Sequence, residues 1–167
     1  TNLKNNPDFQ NFDLDLPIDN EGECIFHSKN VEWKIKNNFA KWFKELIQIH
    51  ILSKSKFDFV EFVFVSENNA GLEIKDIEFI KSGTLDFRGS VFKTKVVLEN
   101  LKTTLETTLS FSKFEDKLII KNCKFNSFNF EDVIVDKEFT FYKNEIFYES
   151  FFTNSEFLQL AEINSNV

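Results

Sequence analysis

Apolar residues recur through the second half of this chain at steps of five or six. That spacing fits neither the 3.6-residue turn of a helix nor the two-residue alternation of a flat strand. From Phe87 they fall at Phe92, Leu98, Leu109, Phe114, Ile120, Phe125, Phe130, Val135, Phe141, Phe147, Phe152 and Phe157, with Thr103 the weak member between Leu98 and Leu109. Taking every fourth position, Phe87, Leu109, Phe130 and Phe152 lie 22, 21 and 22 residues apart. Phe92, Phe114, Val135 and Phe157 repeat the same intervals. A coil of about 22 residues with four sides accounts for both periods, and a fixed period of this length is the mark of a repeat architecture.

A second series runs two residues ahead of the first: Leu85, Ser90, Val96, Leu101, Thr107, Ser112, Leu118, Cys123, Phe128, Val133, Phe139, Glu145, Ser150 and Ser155. In extended chain, residues two apart point the same way. Each side of the coil therefore sends two side chains inward. Ser90, Ser112, Cys123, Ser150 and Ser155 are small, and each belongs to a five-residue step. Glu145 is the exception and is expected to bulge outward.

A Phe or Leu centre, a small residue two before it and a five-residue step together resemble the pentapeptide-repeat family. Phe87-Arg88-Gly89-Ser90-Val91-Phe92, Cys123 to Phe130 and Phe147 to Phe157 carry the pattern best. The six-residue steps resemble a looser, Phe-rich variant, and Cys24-Ile25-Phe26-His27 looks like the leader found before such repeats in some bacterial members. The resemblance implies an all-β fold: a right-handed quadrilateral β-helix with an N-terminal capping helix. Four to five coils stacked at about 4.8 Å would make a rod about 20 Å long.

Three regions follow. Residues 1–56 are a lead-in and capping helix, 57–157 the β-helix solenoid, and 158–167 a C-terminal tail. Asn5-Asn6-Pro7-Asp8, Asp13, Asp15, Asp19 and Glu21 mark polar, turn-rich chain. From Val31 to Leu52, Trp33, Phe39, Trp42, Phe43, Leu46, Ile47 and Ile49 form an apolar stripe with lysines between them, and Lys54-Ser55-Lys56 supplies cations at the helix end. This stripe is expected to pack on the domain as the plug of one raw end; a membrane-surface helix is the other reading. Phe57 to Phe64 alternates strictly, as a strand does. At the other end, Leu158-Gln159-Leu160-Ala161-Glu162 is expected to form a short helical turn, a homodimer contact through the C-terminal end of the solenoid, or a junction with further sequence. The chain shows no signal-peptide pattern, and it opens on Thr1 in place of an initiator Met, so a processed or excised piece of a longer protein, one that could be membrane-attached, is expected.

Little points to catalysis. Two His, two Cys and four scattered Gly make neither a phosphate loop nor a four-ligand zinc site, and Cys24-x-x-His27 is half of one. Arg88 is the one arginine, so the grouped Asp, Lys and Arg of a polysaccharide-cleaving β-helix are missing. No catalytic, cofactor-binding or metal residue is assigned, and no cofactor. The net charge of -7 makes a basic nucleic-acid binder unlike this chain, and no apolar run is long enough to span a membrane.

Acidic pentapeptide-repeat proteins that mimic DNA and bind DNA gyrase supply the alternative function. Residues 79–160 hold eleven basic and twelve acidic residues, and 1–78 hold nine and fourteen. The rod is close to neutral, whereas a DNA mimic needs a sustained negative stripe. Phe111, Tyr142, Tyr148 and Phe151, with Leu105 and Ile134 near them, lie off the inward register and are the expected partner surface. The function so read is a non-enzymatic binding or scaffold module, bacterial in style and cytoplasmic. It would serve a protein partner or a domain of its parent chain.

Overall fold

A computed structural model describes residues 15–53, 56–67, 70–79 and 84–164. Its strands, two to four residues long, gather into four parallel sheets. The first holds Phe57–Asp58, Leu85–Asp86, Glu106–Thr108, Ser127–Asn129 and Ser150–Phe151. The second holds Val63–Phe64, Val91–Phe92, Lys113–Phe114, Ile134–Val135 and Glu156–Phe157. The third holds Leu72–Lys75, Val96–Glu99, Leu118–Lys121, Phe139–Tyr142 and Ala161–Asn164. The fourth holds Glu78–Phe79, Lys102–Thr103, Lys124–Phe125 and Glu145–Ile146. The chain visits the four in turn and starts again, which makes it a β-solenoid.

Each strand pairs with its equivalent one coil on. Phe92 sits on Phe114, Phe114 on Val135 and Val135 on Phe157, so the intervals are the expected 22, 21 and 22. The first coil is longer. Phe64 pairs with Phe92, 28 residues on, while Ile74 pairs with Leu98, 24 residues on. Four extra residues therefore lie between Phe64 and Ile74, and two more between Phe79 and Phe87. These insertions hide the first coil from the sequence period. The alternation at Phe57–Phe64 is not one strand. Phe57 with Phe59, and Phe62 with Phe64, are two inward pairs on either side of a corner.

Two of the four corners are crossed in five residues in every coil, and each such corner carries a left-handed residue. Glu61, Gly89, Phe111, Asp132 and Asn154 stack between the first and second sheets, with φ from 51° to 67°. Asp76, Asn100, Asn122 and Lys143 stack between the third and fourth, with φ from 52° to 56°. Asn and Asp tolerate this region best among residues with a side chain. The turn frees backbone groups of the corner, and small inward residues of the next coil take them up. Ser90 Oγ donates to the Phe59 carbonyl at 2.7 Å and accepts the Phe62 N–H at 3.1 Å. Ser112 Oγ donates to the Phe87 carbonyl at 2.6 Å, and Ser155 Oγ to the Phe130 carbonyl at 2.7 Å. Buried backbone polar groups must be paired, which is why serine recurs here.

The five-residue corner corrects one register expectation. Ile146, not Phe147, pairs with Phe125, and Phe147 is 60% exposed. The inward companion is then Asn144, fully buried, and Glu145 lies outward as expected, paired with Lys124 at 2.9 Å. The aromatic column is likewise interrupted. Phe64, Phe92 and Phe114 stack at 4.4 and 4.3 Å, and Val135 ends the stack. A second cluster centres on Phe128, Phe130, Phe139 and Phe141.

The N-terminal end is plugged. The single expected helix is two: α1, Val31–Lys36, and α2, Phe39–Ser53. Asn30 caps α1 by accepting the Trp33 N–H at 3.0 Å, and Asn38 breaks the run with φ 60°. Phe39, Phe43 and Leu46 of α2 are buried, with Phe43 against Phe59 at 5.4 Å. The leader joins the same contact, since Phe26 stacks on Phe62 at 4.9 Å. Lys34 does not point to solvent as its place among the polar residues suggested. It is buried and donates to the carbonyls of Phe26 (2.9 Å) and Val63. The turn-rich stretch from Asn5 to Asp13, the cationic Lys54 with Ser55, and 165–167 lie outside the described residues.

Candidate interaction surface at the open end

Among the described residues, no helix covers the coil that holds Phe157. Ala161–Asn164 is a strand, not a helical turn, and it carries the solenoid past Phe157 by pairing with Phe139–Tyr142. Four strands form the final layer: Glu145–Ile146, Ser150–Phe151, Glu156–Phe157 and Ala161–Asn164. Each is the outermost member of its sheet. The inward residues of this coil have core below them, and none of the described residues lies on their other side. Phe157 packs on Phe139 at 4.8 Å and Phe152 on Phe130 at 5.5 Å. Yet Phe152 and Ile163 are exposed, whereas their equivalents Phe130 and Phe141 are buried. Leu158 and Leu160 add outward apolar area on the same coil. Contiguous exposed apolar surface of this kind marks contact sites.

The four residues expected to form a partner surface divide. Tyr148, 78% exposed, and Phe151 belong to the open end. Tyr142 lies one coil below on the third sheet, half-buried, with Lys143 Nζ 5.1 Å from its ring centre. Phe111 is exposed two coils below, at the corner between the first and second sheets, and Leu105 and Ile134 are likewise off the open end. Sequence reasoning missed Phe147 and Ile163 as surface residues. The spacing places Phe147 inward, Ile163 lies past the 57–157 stretch, and Leu160 belongs to the tail read as a helical turn, a homodimer contact or a junction with further sequence. The signal was present, since Ile163 continues the Ile120–Phe141 column at a 22-residue interval.

Charge is arranged in ladders across the coils. Glu78 pairs with Lys102, Lys93 with Glu115, Lys113 with Asp136, Lys117 with Glu138 and Lys124 with Glu145. Glu99 is held between Lys75 and Lys121, and those lysines keep its carboxyl below the usual range. Such exposed pairs each contribute little, about 0–1 kcal/mol. They do prevent any one sign from accumulating along the columns. The last coil breaks the rule: no Lys or Arg follows Lys143. Glu149, Glu156 and Glu162 are exposed there, and none of the ion pairs among the described residues includes them.

The residues weighed for chemistry sit elsewhere. Cys24 Sγ and His27 Nδ1 are 3.1 Å apart in the leader, with the His27 ring edge-on to Phe62. Burial lowers the His27 pKa. Burial also pushes the Cys123 thiol up to about 12 inside the solenoid. Arg88 grips the Asp86 carboxylate through Nε and Nη2, the latter at 2.6 Å. Among the described residues, no three His, Cys, Asp or Glu side chains are grouped to hold a metal, and no helix is long and apolar enough to cross a membrane. Comparison of the chain with protein-family models, with curated proteins and with solved structures gave no match.

Proposed function

We propose that this chain is a non-enzymatic, pentapeptide-repeat-like binding or scaffold module that meets a protein partner, or another domain of its parent chain, through the last described coil of its solenoid. The observation that carries this is the number of large apolar residues exposed on that coil. Phe147, Tyr148 and Leu160 are exposed there, on a coil whose strands are the outermost described members of their sheets. Natural proteins blunt such edges, because a bare one pairs with whatever strand it meets. A right-handed, four-sided coil is the form this reading takes, since parallel crossovers are right-handed almost without exception. The cytoplasmic, bacterial setting comes with the family resemblance.

The test is retention from a lysate by the intact chain beside its Leu160→Asp and Ile163→Asp variants. A protein held by the parent chain and released by both variants supports docking at the open end. A protein held equally by all three places the contact elsewhere. Retention of topoisomerase subunits, with inhibition of supercoiling, would replace this reading by the DNA-mimic alternative, which the paired charge ladders do not favour.

A further inference from the structure

The leader that packs on the first coil also holds a thiol against an imidazole. The Cys24 carbonyl accepts the N–H groups of His27 at 3.0 Å and Ser28 at 2.9 Å. Such a tight turn brings side chains three residues apart to one side. Cys24 Sγ accordingly lies 3.1 Å from His27 Nδ1. The ring is held from two further directions. It stands edge-on to Phe62, with centres 4.9 Å apart, and it hydrogen-bonds the Val60 backbone. That bond favours the protonated ring, so the Val60 group is its carbonyl and the ring supplies the N–H. With Nδ1 turned to the sulfur, Nε2 is the nitrogen left for Val60, and Nδ1 is then the acceptor of the thiol proton.

A nucleophile, a base within reach of it and a third group that orients the base form the arrangement that activates a cysteine. Burial lowers the His27 pKa, so the imidazole is free to take a proton at pH 7. Lys34, whose Nζ binds the Phe26 carbonyl, is close enough to Cys24 for their charges to interact. A cation there favours negative charge on the sulfur. Cys24 and His27 are both partly exposed. Cys123 is the contrast: it is fully buried, and its thiol meets the carbonyls of Leu98 at 3.6 Å and Lys121 at 3.3 Å instead of a base.

We propose that Cys24 is a peroxide-reactive modification site with His27 as its base. The sulfur attacks one oxygen of a hydroperoxide, so that an S–O bond forms as the O–O bond breaks. The thiol proton passes to His27 Nδ1 and from there to the departing oxygen, which leaves as water or an alcohol. The sulfur is oxidised by two electrons to a sulfenic acid, and the peroxide is reduced. Buried Cys123 is not placed to resolve it, so the sulfenic acid is consumed by a thiol from solution.

The test exposes the whole chain to hydrogen peroxide at pH 7 with a 1,3-dione that traps sulfenic acid. Mass spectrometry of the two cysteine peptides follows each site, in the folded chain and in urea. Cover alone makes a thiol react more slowly when folded, whereas an adjacent base makes it react faster. Cys24 is expected to react about tenfold or more faster in the folded chain than in urea, and Cys123 only in urea. His27→Gln, checked for an unchanged thermal melt, should bring Cys24 to the unfolded rate or below it. A Cys24 rate in the folded parent chain no higher than in urea would overturn the proposal without any variant. Equal folded-state rates at Cys24 and Cys123 would overturn it as well. An unchanged Cys24 rate in His27→Gln would overturn the assignment of His27 as the base.

Discussion

Asn144 bridges two coils by taking both backbone groups that the corner at Asn122 leaves free. Its Oδ1 accepts the Cys123 N–H at 2.9 Å and its Nδ2 donates to the Ile120 carbonyl at 2.9 Å. One coil below, Cys123 occupies the same place with a thiol that reaches the Leu98 carbonyl only at 3.6 Å. Asn144→Ala would strand a buried donor and a buried acceptor, each costing about 1–3 kcal/mol. Urea unfolding should show a loss of about 2–4 kcal/mol, beside a change within about 1 kcal/mol for Glu145→Ala, whose partner is the exposed Lys124. Equal effects of the two substitutions would refute the bridging role.

The register at the third-to-fourth corner gives a second contrast. Phe130 is fully buried between Phe139 at 5.1 Å and Phe157 at 5.9 Å, so Phe130→Ala should cost about 3–5 kcal/mol. Phe147, one residue out of register, should tolerate Ala within about 0.5 kcal/mol. A Phe147→Ala loss as large as that of Phe130→Ala would restore the inward placement that the sequence spacing suggested.

These residues show how far the sequence reached. The 22-residue coil was legible because the steps from Phe87 to Phe157, those through Phe147 apart, hold phase, and stacked coils force each inward position to repeat. Phe147 misled because Ile146 and Phe147 are adjacent apolar residues, so a six-residue step from Phe141 looks as good as a five-residue one. What separates them is the left-handed Lys143, and a lysine gives no sign of that conformation. The α1–α2 break was hidden for a related reason, since Asn37-Asn38 reads as two weak helix residues until one adopts positive φ. Lys34 was unreadable, because its burial depends on carbonyls of Phe26 and Val63 that the fold brings to it from two other segments. Of the candidate surface, Tyr148 and Phe151 were legible as off-register aromatics, whereas the open end itself is a property of the whole stack.

The buried cations of the cap make stability depend on pH in two windows. Burial lowers Lys34 from 10.5 to about 7 and His50 from 6.5 to about 4. In both cases the unfolded chain holds more protons between the two values, so stability rises with pH there. The His50 contribution is present above about pH 6.5 and is lost as pH falls toward 4. The Lys34 penalty is full below about pH 7 and fades as pH rises toward 10.5, with a slope of up to about 1.4 kcal/mol per pH unit. Melting curves of the parent chain should therefore climb from pH 7 to 10, and those of Lys34→Met should stay flat. A parallel climb in both would remove Lys34 as the cause.

Phe111 is an exposed aromatic in a conformation that disfavours it. Its φ is 62° and its column neighbours are Gly89 below and Asp132 above, residues suited to that turn. A bulky side chain in the left-handed region costs about 1–2 kcal/mol, and an exposed ring recovers little of it. Asn keeps the turn without the steric conflict and without the added chain freedom of Gly. Phe111→Asn is expected to stabilise the solenoid by about 0.5–1 kcal/mol, seen as a rise of about 1–4 °C in the melting midpoint for a chain of this size. Gly89→Ala in the same column should move the other way, since its φ is 67° and an added Cβ would come within 3.4 Å of Glu61 Cγ. A fall in the midpoint of Phe111→Asn would mean that the ring contributes packing at the corner worth more than the strain it imposes. That result would place Phe111 in the fold and remove it from the candidate partner surface.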